Sequence, residues 1–176
     1  NVAMTATSST TWTYVWTVPA GNDGTVTATV SGTDIAGNAY SGTDSITFTI
    51  DNTAPTVSLT DSDVDNVIKD SDNVTITATF NEAMTTAPDI SIGGLLTNVA
   101  MTATSSTTWT YVWNVPAGND GTLTATVSGT DIAGNAYTGT DSVTFNIDNT
   151  APSVSLTDTD ADNVVKDSDN VTITAT

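Results

Sequence analysis

Apolar and polar residues alternate with a period of two over most of the chain. The clearest case is Asn73–Phe80, where apolar side chains take the even positions and threonine takes positions 75, 77 and 79. Successive side chains of a β-strand point to opposite faces, so this pattern predicts a strand with one buried face. The same alternation runs through residues 109–113, 123–127 and 143–147. Shorter apolar runs at residues 56–59, 89–92 and 99–104 complete a set of about seven predicted strands.

Turn signals separate these predicted strands, and no segment shows a helical period. Residues 117–121 (Ala-Gly-Asn-Asp-Gly) and 133–135 (Ala-Gly-Asn) combine glycine with asparagine, which both tolerate a positive φ. About seven strands per repeat predict an all-β fold, an immunoglobulin-like sandwich of two sheets. Trp109, Tyr111 and Trp113 fall on one face of their strand, so we expect them to anchor the core.

The chain repeats itself at an interval of 97 residues, since Asn1 recurs as Asn98. Residues 1–79 match residues 98–176 with nine differences, each of which exchanges side chains of similar size or strand preference. Such close copies indicate duplication within a tandem array rather than two domains with separate tasks.

The sequence Asp-Asn-Thr-Ala-Pro, at residues 51–55 and 148–152, marks the boundary between repeats, and we call these two segments the linkers. Proline fixes φ and lacks an N–H donor, so it suits a linker better than the middle of a sheet. This frame predicts three parts of the chain. They are the head (residues 1–52, the C-terminal part of a preceding repeat), the middle repeat (residues 53–149, complete) and the tail (residues 150–176, the N-terminal part of a following repeat).

The charge of the chain is strongly one-sided, with 2 basic residues against 20 acidic residues and a formal net charge of -18. Binding to phosphates or to anionic lipid needs basic side chains, so we expect no nucleic-acid partner and no direct membrane contact. The chain has neither cysteine nor histidine, which excludes disulfides, thiolate metal sites and the common catalytic triads. We therefore predict a protein that is not an enzyme and that attracts cations.

Carboxylates crowd into residues 61–72, which we call the acidic loop. It contains five aspartates, of which the first three are spaced i, i+2, i+4: Asp61, Asp63, Asp65, Asp70 and Asp72. With Asn66 in the place of glycine, the spacing resembles the calcium loop of EF-hands, although strands rather than helices flank it here. A hard divalent cation would relieve the repulsion, so we predict Ca²⁺ in this loop; the alternative is a solvated loop that aids solubility. The tail repeats the set as Asp158, Asp160, Asp162, Asp167 and Asp169.

Strand directions place these acidic groups at the ends of the predicted sandwich. With seven strands, the acidic loop lies at the pole of the next linker, near Asp148. The last loop between strands, which carries Asp131, lies at the opposite pole and faces the preceding repeat. Each junction would then gather acidic groups from both sides, and a cation there would stiffen the rod.

Several stretches resemble the bacterial Ig-like repeats of very large surface proteins and adhesins, among them DNTAPTVSLTDSD (residues 51–63), TITATFNEAM (residues 75–84) and SSTTWTYVW (residues 8–16). The resemblance covers the whole chain, and the linker and the Asp-x-Ala-Gly-Asn turn are its most specific parts. It implies an extracellular chain of beads on the bacterial cell surface, a spacer or adhesive role, and calcium that stiffens the links. Carried over by position, the acids of the linkers are Asp51 and Asp148, and the acids of the turns are Asp34 and Asp131.

Other functions stay open at this point. The chain could be a carbohydrate- or ligand-binding adhesive module, although the aromatic residues are predicted to point inward. Like chains could also assemble into an extracellular fibre by strand complementation, with the tail of one chain completing the head of another. Threonine rows such as positions 75, 77 and 79 are typical of ice-binding faces, but threonine is also a common exposed strand residue. We expect the partners to be neighbouring repeats of the same array.

Overall fold

The computed structural model describes all 176 residues and contains fifteen strands in five sheets. The predicted all-β fold is confirmed. No helix of the chain could cross a membrane.

The middle repeat is a sandwich of two sheets. The strands of the first sheet are β5 (Val57–Asp61), β7 (Asn73–Phe80), β10 (Thr102–Ala103) and β11 (Thr108–Asn114), in the order β10-β11-β7-β5. The strands of the second sheet are β6 (Val67–Ile68), β8 (Asp89–Ile92), β9 (Leu96–Ala100), β12 (Gly121–Ser128) and β13 (Ser142–Ile147), in the order β6-β13-β12-β8-β9. All pairs are antiparallel except that of β6 with β13, which is parallel.

The alternating residues build the core between these sheets. The apolar positions of β7 and β13 are all buried, and their polar positions face outward. Trp113 is 4% exposed, and its ring lies 5.6 Å from that of Phe145. Trp109 and Tyr111 are half-buried and pack against the same core. The aromatic residues of the middle repeat are therefore core anchors, as their alternation predicts.

Two features of the sandwich differ from the predicted strands. The strand predicted at residues 99–104 divides at Met101, whose side chain is 3% exposed. Its first part pairs with β8 and its second part with β11, because the chain crosses there from one sheet to the other. The second feature is β6, a strand of two residues inside the acidic loop, in which Ile68 is 2% exposed. Two residues are too few to show an alternation, so no sequence pattern predicts β6.

The head and the tail contain isolated hairpins. The head pairs β1 (Thr5–Ala6) with β2 (Trp12–Thr13) and β3 (Gly24–Thr29) with β4 (Ser45–Ile50), and the tail pairs β14 (Leu156–Asp158) with β15 (Ile173–Ala175). Their apolar faces are uncovered: Phe48 of the head is 43% exposed, whereas its counterpart Phe145 in the middle repeat is fully buried.

Candidate metal centre

Three carboxylates converge where the head meets the middle repeat. Asp51 follows β4 in the first linker, Glu82 follows β7, and Asp131 lies in the turn after β12. One carboxylate oxygen of each lies within 4.8 Å of those of the other two. Asp131 is fully buried, and the other two are half-buried. We call this cluster the junction triad.

Hydrogen bonds within its own turn hold the carboxylate of Asp131 in place. Its Oδ1 accepts the backbone N–H groups of Gly134 at 2.7 Å and Asn135 at 2.9 Å. Its Oδ2 accepts the side-chain amide of Asn135 at 2.8 Å. Gly134 has a φ of 96°, a conformation that disfavours any residue with a Cβ. The turn formed by the Asp-x-Ala-Gly-Asn sequence thus fixes the orientation of its aspartate.

The same asparagine connects this turn to the linker. The side-chain nitrogen of Asn135 also donates to the backbone oxygen of Asp51 at 3.2 Å. On the other side of the turn, the hydroxyl of Thr85 donates to the backbone oxygen of Asp131. Asp51, which belongs to the linker, is therefore held against the turn of Asp131, and this turn is itself joined to the loop that contains Thr85.

Two acids of the junction triad have pKa values that are shifted in opposite directions. Burial acts to raise the pKa of Asp131, but the hydrogen bonds from Asn135 and Gly134 outweigh it and hold this pKa below its ordinary value. For Glu82, burial and then the charges of Asp51 and Asp131 raise the pKa above its ordinary value of 4.5. A cation in the cluster would offset the repulsion from Asp51 and Asp131, which is the second cause of the raised pKa of Glu82.

The ligand chemistry of the junction triad is that of a hard cation. It offers only carboxylate oxygens, which suit Ca²⁺ or Mg²⁺, and the chain has no histidine or cysteine for softer metals. Calcium takes six to eight oxygen ligands, so bidentate carboxylates, backbone oxygens or water would complete the shell.

The acidic loop does not form a comparable cluster, because no three of its carboxylates lie within 4.8 Å of one another. Its first aspartates accept hydrogen bonds from the loop backbone instead: Asp61 from Asp63 N at 2.9 Å, and Asp63 from Asn66 N at 2.6 Å. Asp65 accepts Val67 N at 3.1 Å. Asn66 has a φ of 60°, as its place in the motif predicts. The prediction of a calcium site in this loop stays a prediction.

The second half of the acidic loop contacts the next linker. The backbone N–H of Asp70 donates to the side-chain oxygen of Asn149 at 2.7 Å, which places the loop at the predicted pole. Asp72 accepts the backbone N–H of Lys69 at 2.9 Å and lies 3.7 Å from the Lys69 ammonium. This ion pair is exposed, so it contributes little stability.

The other predicted site residues lie apart from the junction triad. Asp34 in the head accepts the backbone and side-chain nitrogens of Asn38, each at 2.8 Å, and so repeats the geometry of Asp131. Asp148, the counterpart of Asp51, is exposed and accepts Thr150 N at 2.9 Å. In the tail, Asp160 is half-buried and the other four aspartates are exposed: Asp158, Asp162, Asp167 and Asp169. Of the predicted site residues, only Asp51 and Asp131 belong to the junction triad.

Two residues of the site are not predicted as site residues from the sequence. Glu82 is the only glutamate of the chain, and its loop lies at the pole that strand counting assigns to Asp131. That combination is the signal that could have identified it. The sequence predicts only a turn at Asn135, but the amide of this residue contacts both the carboxylate of Asp131 and the backbone of the linker.

Comparison with known proteins indicates the kind of domain. The family model described as bacterial Ig-like domain (group 3) matches residues 10–104 and again residues 107–176. A search of curated proteins finds no match to the chain. The two matched regions are adjacent, which is consistent with tandem repeats. They meet between β10 and β11 rather than at a linker, and the division into head, middle repeat and tail stays a prediction. Domains of this kind are typically non-catalytic and commonly occur in extracellular or surface proteins.

Proposed function

Because the chain belongs to the family of bacterial Ig-like domains (group 3), we propose that it is a structural spacer in the stalk of an extracellular adhesin or fibre. In this role the repeats hold a distant binding domain away from the cell, and they carry out no catalysis. Ca²⁺ at the junctions between repeats stiffens the stalk.

The observation that carries this proposal is the composition of the junction triad. One of its ligands belongs to the linker and the other two to loops of the following repeat. A cation bound by all three would connect the end of one repeat to the body of the next. Such a bond would restrict bending at each junction, which is the property that a stalk needs.

The charge of the chain supports a role for cations. The net charge of -18 disfavours close approach of acidic loops, and the junction triad brings three carboxylates together all the same. Burial, and after it the charges of Asp51 and Asp131, raise the pKa of Glu82, so this repulsion is one of the causes. Binding of Ca²⁺ would replace repulsion by attraction, and it would do so where extracellular calcium is plentiful.

The acidic loop is the second place where we propose Ca²⁺. Its contact with Asn149 puts Asp70, one of its five aspartates, beside the linker to the next repeat. Calcium there would act on the opposite pole of the repeat from the junction triad, so each linker would receive cations from both sides.

Nothing in the middle repeat favours the alternative of a carbohydrate-binding module. Such a module needs exposed aromatic rings, and here Trp109, Tyr111 and Trp113 pack against the core. We therefore retain the spacer role as the conclusion.

The test is a titration of the chain with Ca²⁺. Calorimetry measures the heat of binding, and the melting temperature is measured at each calcium concentration. Extracellular calcium modules have dissociation constants of about 10⁻⁴–10⁻³ M, so ~10 mM Ca²⁺ would stabilise the folded state by roughly 1.4–2.7 kcal/mol. For a unit of this size, the melting temperature would rise by about 5–20 °C.

Two variants with equal loss of charge identify the site. Asp51→Asn with Glu82→Gln removes two ligands of the junction triad, and Asp63→Asn with Asp65→Asn removes two charges of the acidic loop. We expect the first variant to lose calcium binding at the junction and the second to lose only binding at the loop. If the unaltered chain shows neither heat of binding nor a change in melting temperature at 10⁻² M Ca²⁺ (roughly ten times the weakest constant expected), the calcium proposal is wrong.

A further inference from the structure

The first linker is attached to the head by a single carboxylate. Asp23, in the turn before β3, accepts the backbone N–H of Asn52 at 2.9 Å and its side-chain amide at 2.8 Å. The hydroxyl of Thr53 donates to the same carboxylate at 2.7 Å. Three hydrogen bonds therefore converge on one charged acceptor, a type of hydrogen bond that is stronger than a neutral one.

The second linker shows the same arrangement. Asp120 accepts the backbone N–H of Asn149 at 2.9 Å and its side-chain amide at 2.7 Å, and Thr150 donates its hydroxyl at 3.1 Å. The recurrence in two copies indicates that the linker sequence Asn-Thr is matched to the Asn-Asp-Gly turn, for which the sequence alone predicts only a turn.

The first linker is attached to the middle repeat as well. The side-chain oxygen of Asn81 accepts the backbone N–H of Thr56 at 2.7 Å, and Asn81 N donates to the oxygen of Thr56 at 3.1 Å. Pro55 is buried. Between Thr53, which is held by the head, and Pro55, which is held by the middle repeat, only Ala54 remains.

That single residue has little freedom. A residue that precedes proline is restricted to extended conformations, and proline itself fixes φ. The junction therefore lacks the run of free dihedral angles that a flexible linker needs.

We infer that Asp23 and its counterpart Asp120 are positioning residues that set the direction of each linker without any cation. In the first linker, the anchored Asn52 follows Asp51 directly, so Asp23 also places a ligand of the junction triad. This second role rests on the proposed function, whereas the anchoring itself does not.

The lowered pKa values of Asp23 and Asp120 agree with the inference. The hydrogen bonds from Thr53 and then Asn52 hold the pKa of Asp23 below its ordinary value, and those from Asn149 and then Thr150 do the same for Asp120. Both carboxylates are thus ionised acceptors at neutral pH.

The inference is tested by amide hydrogen exchange, measured by NMR on the full chain in calcium-free buffer. In Asp23→Ala, exchange at Asn52 N–H should accelerate at least tenfold. In Asp23→Asn, the remaining oxygen can keep both bonds to Asn52, so exchange should stay within about threefold of the unaltered chain. Asp167→Ala, which removes the same charge from the tail, should leave Asn52 unchanged.

A second measurement tests the affinity of the junction triad for Ca²⁺. Because outer-shell groups that orient a ligand change metal affinity by about 10–100-fold, Asp23→Ala should weaken Ca²⁺ binding at the junction triad by roughly tenfold, with Asp23→Asn restoring most of it. Unaltered exchange at Asn52 in Asp23→Ala would overturn the inference, and so would protection that exists only when Ca²⁺ is present. If the unaltered chain binds no calcium, the proposed function fails at the junction, and the exchange result alone decides on the anchoring.

Discussion

At the scale of single residues, the junction depends on side chains that each perform more than one task. Asn135 orients Asp131 and also holds the backbone of Asp51. Asp131 accepts hydrogen bonds from its turn while its carboxylate belongs to the junction triad. Glu82 has no comparable set of donors, and burial, followed by the charges of Asp51 and Asp131, raises its pKa.

Glu82 should make the calcium-free chain less stable as pH rises. Its pKa is raised on folding, so its contribution to stability is complete below its ordinary value of 4.5 and is lost as pH rises through the folded value. In calcium-free buffer, the melting temperature should therefore fall as pH rises above 4.5, and Glu82→Gln should remove this part of the fall. Melting curves recorded by circular dichroism at several pH values measure how the melting temperature changes with pH in the unaltered chain and in Glu82→Gln.

The aspartates with lowered pKa values act in a different window and serve as an internal control. Asp120 and Asp131 titrate below 3.8 in the folded chain, so their contribution is lost only as pH falls below that value. Glu82→Gln should leave the loss of stability below pH 3.8 unchanged. Equal slopes above pH 4.5 in both proteins would contradict the role of Glu82.

At the scale of elements, the acidic loop has two parts with different tasks. Its aspartates cap backbone N–H groups at the surface, whereas β6 inserts Ile68 into the core beside β13. A loop that must rearrange freely around a cation would not contain a buried strand. Any calcium site here is therefore built on a rigid segment.

Ile68→Ala should destabilise the middle repeat strongly, although the residue belongs to a loop by sequence. Ile68 is 2% exposed, and truncation of a buried isoleucine costs about 2–5 kcal/mol. The adjacent Val67 is 53% exposed, so Val67→Ala should cost no more than about 0.5 kcal/mol. Urea unfolding at constant m-value measures both, and similar losses would show that β6 is not a core element.

At the scale of the whole molecule, nearly identical sequences have different surroundings. Phe48 and Phe145 occupy equivalent positions, yet the first is 43% exposed and the second is fully buried. The difference arises because the first sheet of the middle repeat covers Phe145, whereas the head has no complete counterpart of that sheet. Burial in this chain is therefore a property of complete sandwiches rather than of hairpins.

This difference should appear in a matched pair of substitutions. Phe145→Ala removes a ring that is fully enclosed and should cost about 3–5 kcal/mol of the free energy of unfolding. Phe48→Ala removes the same atoms from an open face and should cost less than half as much. Equal losses, measured by chemical denaturation, would mean that the head is covered by partners in solution.

The sequence by itself determined the all-β fold, the interval of 97 residues and the residues that point inward, because a period of two depends only on neighbouring positions. It also indicated the left-handed turn at Asn66 and the acidic character of the poles. Each of these follows from local backbone geometry or from composition.

Only the tertiary structure decided which carboxylates meet. Glu82 lies 31 residues from Asp51 and 49 from Asp131, and no spacing rule connects them. The same holds for Asp23 with Asn52, for the crossing at Met101 and for the parallel strand β6. All of these depend on how two sheets pack and on where loops from different strands arrive at one pole, which are non-local consequences of burying the core.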